Sequence, residues 1–367
     1  MWLPPPLPRT FDACVRDLSS TKADVRASAA TDIVRHARPE EDEGEDARTR
    51  RREALALLEK ALADESAVVR SAAAVALSDL GARAALPKLQ KLVDDDDQHV
   101  RQMALVALGE LGARDKSVIA RLEKAQRDRR PEMRYQAVIA LAKLLDGDAL
   151  VAALLRASSD EDMNVRYIAM RLAEEALDDG DGALERDGRL TTRGRALLDD
   201  EADDVAIAAA IFLAKAGDER GRAIVLDVAR GTRRAQQEDE REAVELCGAI
   251  GLREAIPALE RRAFGVLRHV RDTSSFHATI ALARLGHARA IASITSDLSA
   301  RRKVTREAAV VAIGRARLHE LRDRVKALGA DDVDPELRRV ALASLAPEDA
   351  EQAEQAEHAE HAKGEGT

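Results

Sequence analysis

From Asp95 to Gly112 the chain reads DDDQHVRQMALVALGELG. With Arg101 as position zero, small or apolar residues stand at plus 3, 6, 7 and 10, as Ala104, Ala107, Leu108 and Leu111. That spacing is one face of a helix with 3.6 residues per turn. The same pattern returns with position zero at Arg26, Arg70, Arg101, Arg134, Arg166, Ala206, Glu240, Ser275, Arg306 and Arg338, at intervals of 44, 31, 33, 32, 40, 34, 35, 31 and 32 residues. Repetition at this period predicts stacked helical units, each burying its apolar face against its neighbours.

An aspartate stands six residues before position zero at Asp64, Asp95, Asp128, Asp160, Asp200 and Asp332. Each is placed to cap the coming helix by accepting its free backbone N–H groups. Each can also meet an arginine of its own repeat or the next. The expected ladder comprises Asp64, Arg70, Asp95, Arg101, Asp128, Arg134, Asp160, Arg166, Asp332 and Arg338. A short apolar stretch precedes each aspartate, such as Pro87–Val93, Ala149–Leu155 and Ile256–Glu260. The unit is therefore helix A, a tight turn holding Asp, and helix B holding Arg.

The Asp and Val-Arg signatures, as in Asp64 with Val69-Arg70 and Asp160 with Val165-Arg166, carry a family resemblance. So does the small-residue end of helix B from Ala73 to Gly81. Over roughly residues 10–346 the chain resembles the HEAT-repeat family, most closely its short bacterial form, also seen in phycobilisome-lyase-type repeats. The resemblance implies an all-α, right-handed α-solenoid of about ten helical hairpins, with A helices on the convex face and B helices lining the concave one. It is specific for fold and unspecific for function. The arginine is missing at Ala206, Glu240 and Ser275, and of these repeats only the first keeps the aspartate, Asp200.

The expected organisation is a Pro-rich segment at 1–9, the solenoid at 10–346 and an acidic tail at 347–367. Trp2 is expected to pack on the first repeat. Two insertions lengthen the period: PEEDEGED at 39–46, read as a solvated loop, and the Asp/Gly-rich stretch 178–188. The latter lacks any register with the oxygen ligands of an EF-hand calcium loop. The tail repeats EQA and EHA triplets with few large apolar residues, which predicts disorder or a fraying helix. Net charge is −9 over residues 1–204, +6 over 205–345 and −6 over 346–367. The two cysteines, Cys14 and Cys247, form no CxxC pair, which fits a reducing compartment. With no long apolar run and no secretory start, the expected location is cytoplasmic, with no membrane anchor.

Positions plus 1, 5 and 9 of helix B lie opposite the core stripe. Both tyrosines, Tyr135 and Tyr167, fall in the plus 1 column with Ile207 and Phe276. The plus 5 column holds Ile139, Arg171, Ile211 and Ile280, where a solvated helix would be polar. Lys143, Glu175, Lys215, Arg284 and Arg315 occupy plus 9 as a charged rim. Exposed aromatic and aliphatic residues in such columns suit a protein-binding groove. The expectation is a non-catalytic scaffold or adaptor that holds a protein partner, of unspecified identity and oligomeric state. One alternative is binding of nucleic acid or another anion by the basic stretch 205–345. The other is a phycobilin-lyase-like subunit or chaperone.

No catalytic motif supports an enzyme. Walker A, dinucleotide, HExxH and GxSxG signatures are absent. Deoxyhypusine hydroxylases, which resemble HEAT proteins, hold two irons with several His-Glu pairs. This chain has one such pair, His319-Glu320. No cofactor or metal is expected.

Overall fold

The computed structural model describes residues 8–38, 44–112, 115–178, 188–265 and 274–346. Trp2, the core of the acidic insertion at 39–46, most of the 178–188 insertion and the tail lie outside the described residues. All regular structure among the described residues is helical.

The helices alternate as the period predicts. The A helices are α1 (Phe11–Asp17), α4 (Glu45–Ala61), α6 (Leu86–Leu92), α8 (Lys116–Ala125) and α10 (Gly147–Ala157). They continue as α12 (Gly188–Leu197), α14 (Glu219–Arg230), α16 (Ile256–Phe264), α18 (Ala288–Asp297) and α20 (Arg322–Lys326). The B helices are α2 (Ala23–Asp32), α5 (Ala67–Asp79), α7 (Gln98–Leu111), α9 (Pro131–Ala142) and α11 (Met163–Asp178). They continue as α13 (Asp203–Lys215), α15 (Gln237–Ala249), α17 (Ser275–Arg284), α19 (Lys303–Ala316) and α21 (Pro335–Ala343). A four-residue helix, α3 (Val34–Ala37), follows α2. Every position-zero residue read from the sequence falls inside a B helix.

The chain divides into two units, residues 1–194 and 195–367. Within each, a B helix packs on the B helix of the next repeat and on its own A helix. In the first unit the plus 3, 6 and 7 residues Ala104, Ala107 and Leu108 are no more than 1% exposed. Burying a leucine this fully contributes about 1.5–3 kcal/mol, so the stacked faces supply most of the stability. The second unit has its own core, including Ala243, Cys247, Ala281 and Ile313.

Where plus 8 is glycine, the B helices approach so closely that a side chain is excluded there. A Cβ on Gly109 would lie 2.9 Å from Ala140 Cα on α9, and one on Gly248 would lie 2.5 Å from Ala281 Cα on α17. Glycine meets alanine here because the two backbones need the space.

The ladder runs between repeats. Arg26 donates from Nε and Nη2 to Asp64 at 2.8 and 2.7 Å. Arg70 reaches Asp95 at 2.8 and 2.7 Å, and Arg134 reaches Asp160 at 2.7 Å through both nitrogens. Toward its own repeat each arginine uses Nη1, and it bonds a carbonyl: Arg70 to Asp64 O, Arg101 to Asp95 O, Arg134 to Asp128 O and Arg166 to Asp160 O. Neither side-chain pairing offered by the sequence, with the arginine of the aspartate's own repeat or of the next, is formed in these rungs: each aspartate is held by the arginine of the preceding repeat. At the far end Arg306 holds Asp332 through the carbonyl at 3.1 Å and a longer ion pair at 3.7 Å, while Arg338 donates to Leu328 O.

The capping role also moves. Asp64, Asp95 and Asp160 accept from the backbone N–H two residues on, closing the turn before helix B. The caps are the next polar residues along, Asp97 for α7, Asp162 for α11 and Asp334 for α21.

Two rungs depart from the pattern. Asp128 is held by Arg130 from its own turn, through both guanidinium positions at 2.8 Å. Arg101, 8% exposed, is left with a buried Nε that has no acceptor. At one rung of the second unit the polarity inverts. Position zero is Glu240, and Arg262 on α16 of the next repeat donates to it at 2.6 Å. Arg262 also donates to Val228 O and Ala229 O at the end of α14 and to Ser274 Oγ.

Candidate partner-binding surface

On the outward face of the B helices the first unit differs from the second. Tyr135 and Ile139 on α9 are half-buried, as is Tyr167 on α11, while Val75 on α5 is 37% exposed. In the second unit Phe276 is 37% exposed, but Ile207, Ile211 and Ile280 are 1, 0 and 0% exposed. Those three isoleucines are core residues and cannot meet a partner. This corrects the expectation of one continuous exposed column.

The cause differs between them. In α13 every residue from Val205 to Ala214 is at most 1% exposed, so that helix has no solvated face. Its sequence, VAIAAAIFLA, is apolar all round, which is the signature of a helix buried on every side. Ile280 stands on α17, between α15 and α19 in the stack. There Arg315 of α19 reaches back to Glu245 of α15 at 2.8 and 2.7 Å, and His277 of α17 meets the same carboxylate at 3.0 Å. Side chains two repeats apart thus close the face over the helix between them.

The cations of the expected charged rim are engaged within the chain. Lys143 pairs with Glu110, Lys215 with Glu242 at 3.4 Å and Arg315 with Glu245 at 2.7 Å, and Arg171 of the plus 5 column pairs with Glu174 at 2.8 Å. Arg284 donates to Arg315 O at 3.4 Å. In the basic stretch 205–345, Arg233, Arg262 and Arg306 are also held by Asp203, Glu240 and Asp332.

Two clefts open between B helices of the first unit. One, of about 350 Å³, is lined by Gln102, Pro131, Glu132, Tyr135, Gln136, Asp162 and Asn164. The other, of about 570 Å³, is lined by Val75, Met103, Val106, Ala107 and Leu111, with Ser78, Asp79, Gly81, Arg83 and Glu110 at its edges. Amide and carboxylate groups thus surround one aromatic ring, and an apolar trough lies one repeat away. Met103 stands at plus 2, outside the columns singled out from the sequence. The available signal was its position beside Val106 on the same helix turn.

Both cysteines are held inside the fold. Cys247 is fully buried, donates to Ala243 O, and burial pushes its thiol up to about 12. Cys14 is also buried and raised by desolvation. The described residues contain no group of three or more His, Cys, Asp or Glu able to hold a metal ion, and none of their helices is long and apolar enough to cross a membrane.

Residues 15–109 and 54–142 match the family profile of HEAT repeats. Residues 15–142 carry HEAT repeats. No curated protein matches the chain. Among solved structures, Escherichia coli YibA superposes with a TM-score of 0.51 at 16% identity, covering 76% of this chain and 93% of YibA. The Kap95:Nup1 complex gives a TM-score of 0.53 at 12% identity, covering 91% of this chain and 56% of that one. These likenesses establish the α-solenoid fold. The complex of CpcE and CpcF of phycocyanin lyase from Nostoc sp. PCC7120 gives a TM-score of 0.35 at 20% identity, covering 78% of this chain and 98% of that one, too distant a superposition to bear on activity.

Proposed function

We propose that this HEAT-repeat chain is a non-catalytic adaptor that binds a protein partner on the B-helix face of its first unit. The observation that carries the reading is the half-buried Tyr135 in its polar cleft, next to the apolar trough of Val75, Met103 and Val106. An aromatic anchor ringed by amide and carboxylate groups suits recognition of a polypeptide, with the ring supplying contact area and the amides supplying backbone hydrogen bonds. The close Gly109–Ala140 approach of the B helices supports placing this face on the inner curve of the stack. Kap95, of similar fold, is named in complex with Nup1. The engaged rim cations leave the reading resting on Tyr135 and the trough, with Tyr167 as a flanking contact.

The test places a photo-crosslinking amino acid at position 135, and separately at exposed Lys91 on an A helix, in cells of the source organism. Adducts at 135 that are absent at 91 support the reading. Equal adducts, or none at 135, would refute it.

A further inference from the structure

The turn between α8 and α9 reverses the charge of its neighbours. In the repeats at Arg70, Arg101, Arg134 and Arg166, the residue five before position zero is Glu65, Asp96, Arg129 and Glu161. Four before, it is Ser66, Asp97, Arg130 and Asp162. Seven before, it is Ala63, Asp94, Arg127 and Ser159. Three arginines thus stand in one turn where the repeats on either side carry acidic or small residues. The exchange costs the fold two contacts. Asp97 and Asp162 cap their helices, whereas Arg130 gives α9 no side-chain cap. Arg130 also takes Asp128 through Nε and Nη2, and Arg101 is left with a buried Nε that has no acceptor. A local rule broken with no structural gain marks a place where function sets the residue.

The three arginines line a cleft of about 530 Å³ together with Arg121 and Lys124 of α8. That volume lies in the range of small-ligand sites, roughly 300–1,000 Å³. Only two carboxylates, Asp94 and Asp128, face these five cations, and each is already engaged, by Arg121 and by Arg130. Among the described residues, Lys124, Arg127 and Arg129 pair with no carboxylate, and all three are exposed. Arg127 donates only to the Glu123 carbonyl, at 3.2 Å. Arg121 keeps a buried Nε without an acceptor, so the cluster holds donor capacity beyond its two carboxylates. A helix C-terminus favours a cation in its last turn, which accounts for Lys124 but not for the three arginines beyond it. Val93, Ala120 and Ala125 add a small apolar wall.

Guanidinium groups bind phosphate oxygens through paired N–H donors, and the linkage is strongest where several converge. The cationic excess of this lining is three, so a dianion is matched better than a single carboxylate. The lining holds no aromatic ring on which a nucleobase could stack, as single-stranded nucleic-acid sites use. We propose that this cleft binds a phosphate monoester through Lys124, Arg127 and Arg129. The start of α9 separates it from the Tyr135 cleft, Arg130 lining the one and Pro131 the other. The phosphate site therefore does not rest on Tyr135 acting as an anchor.

The test is calorimetric titration of the full chain, at constant ionic strength, with glycerol phosphate and with an acetylated pentapeptide carrying a central phosphoserine. The cleft variant is Lys124→Gln/Arg127→Gln/Arg129→Gln. A charge-matched control, Lys22→Gln/Lys60→Gln/Lys91→Gln, removes three exposed cations elsewhere in the first unit. A second cleft variant, Arg129→Glu, restores the residue found at Glu65 and Glu161 and so suits the fold. The wild type and the control should bind a monoester equally, and both cleft variants more weakly by about tenfold or more. Tighter binding of the phosphopeptide would assign the group to a phosphorylated side chain, and tighter binding of glycerol phosphate to a free small molecule. Equal affinity in the wild type and the cleft variants, or no saturable binding by the wild type, would overturn the proposal. So would tight binding of a single-stranded oligonucleotide by a wild type that takes neither monoester, which would assign the cleft to nucleic acid instead.

Discussion

Arg70 on α5 grips Asp95 of the following repeat with Nε at 2.8 Å and Nη2 at 2.7 Å, while its Nη1 holds the Asp64 carbonyl of its own turn at 2.9 Å. One guanidinium thus joins two repeats and closes one turn. The side chains are 16% and 9% exposed, so the pair is largely shielded from water.

Removing one partner of such a pair strands the other. Asp95→Ala is expected to cost about 3 kcal/mol, the scale for an uncompensated buried charge. In a solenoid the loss stays local. Denaturant melting should show the destabilisation, and hydrogen exchange should rise mainly in α5, α6 and α7. Uniform loosening of the chain would contradict a nearest-neighbour account.

Arg130 gives the contrasting case. It occupies Asp128 and leaves Arg101 Nε buried without an acceptor. In Arg130→Ala the carboxylate is released for Arg101, which would restore the regular rung. The expected change in stability is within about 0.5 kcal/mol of zero, or favourable, whereas Arg134→Ala should be clearly destabilising. Comparable losses in both variants would show that Arg101 does not take up Asp128.

Acid should loosen the first unit in a defined window. Hydrogen bonds from Arg26 hold Asp64 below its ordinary value of 3.8. For Asp95, burial pushes the other way, but Arg70 and the backbone N–H of Asp97 outweigh it and the group also lies below 3.8. A carboxylate with a depressed folded-state pKa binds fewer protons folded than unfolded, so stability rises with pH through the interval between the two values. The contribution is complete above the unfolded value and is lost as pH falls from about 4 through the folded-state values. Denaturant midpoints measured from pH 6 to pH 2 should fall below about pH 4, and less steeply in Asp64→Asn/Asp95→Asn. Parallel curves would assign the acid sensitivity to other groups.

The period was readable because position zero and its plus 3, 6, 7 and 10 partners are local, and all ten positions fall in B helices. Even where the arginine is missing, at Ala206, Glu240 and Ser275, the apolar stripe kept the register. The partner of each rung was not legible: the sequence suggested an arginine of the same repeat or the next, and packing selects Arg26 of the preceding one. The inverted rung was hidden for a related reason. Arg262 sits on helix A, outside the template that places arginine on helix B. The outer columns misled most in the second unit. Ile211 and Ile280 were read from a pattern that assumes a solvated outer face, and that assumption fails where α13 is buried all round and where Arg315 bridges to Glu245. The run VAIAAAIFLA carried the first of these signals. A contact between residues 70 positions apart leaves none.

The most direct test of the proposed function is quantitative affinity capture from native lysate with the wild type and with Tyr135→Asp/Val106→Asp, after circular dichroism has shown equal helicity. Placing carboxylates in the polar cleft and the apolar trough should deplete a specific protein by on the order of 10–100-fold, the scale of losing an interface anchor. Identical capture by the two folded chains would contradict the assignment of partner binding to this face.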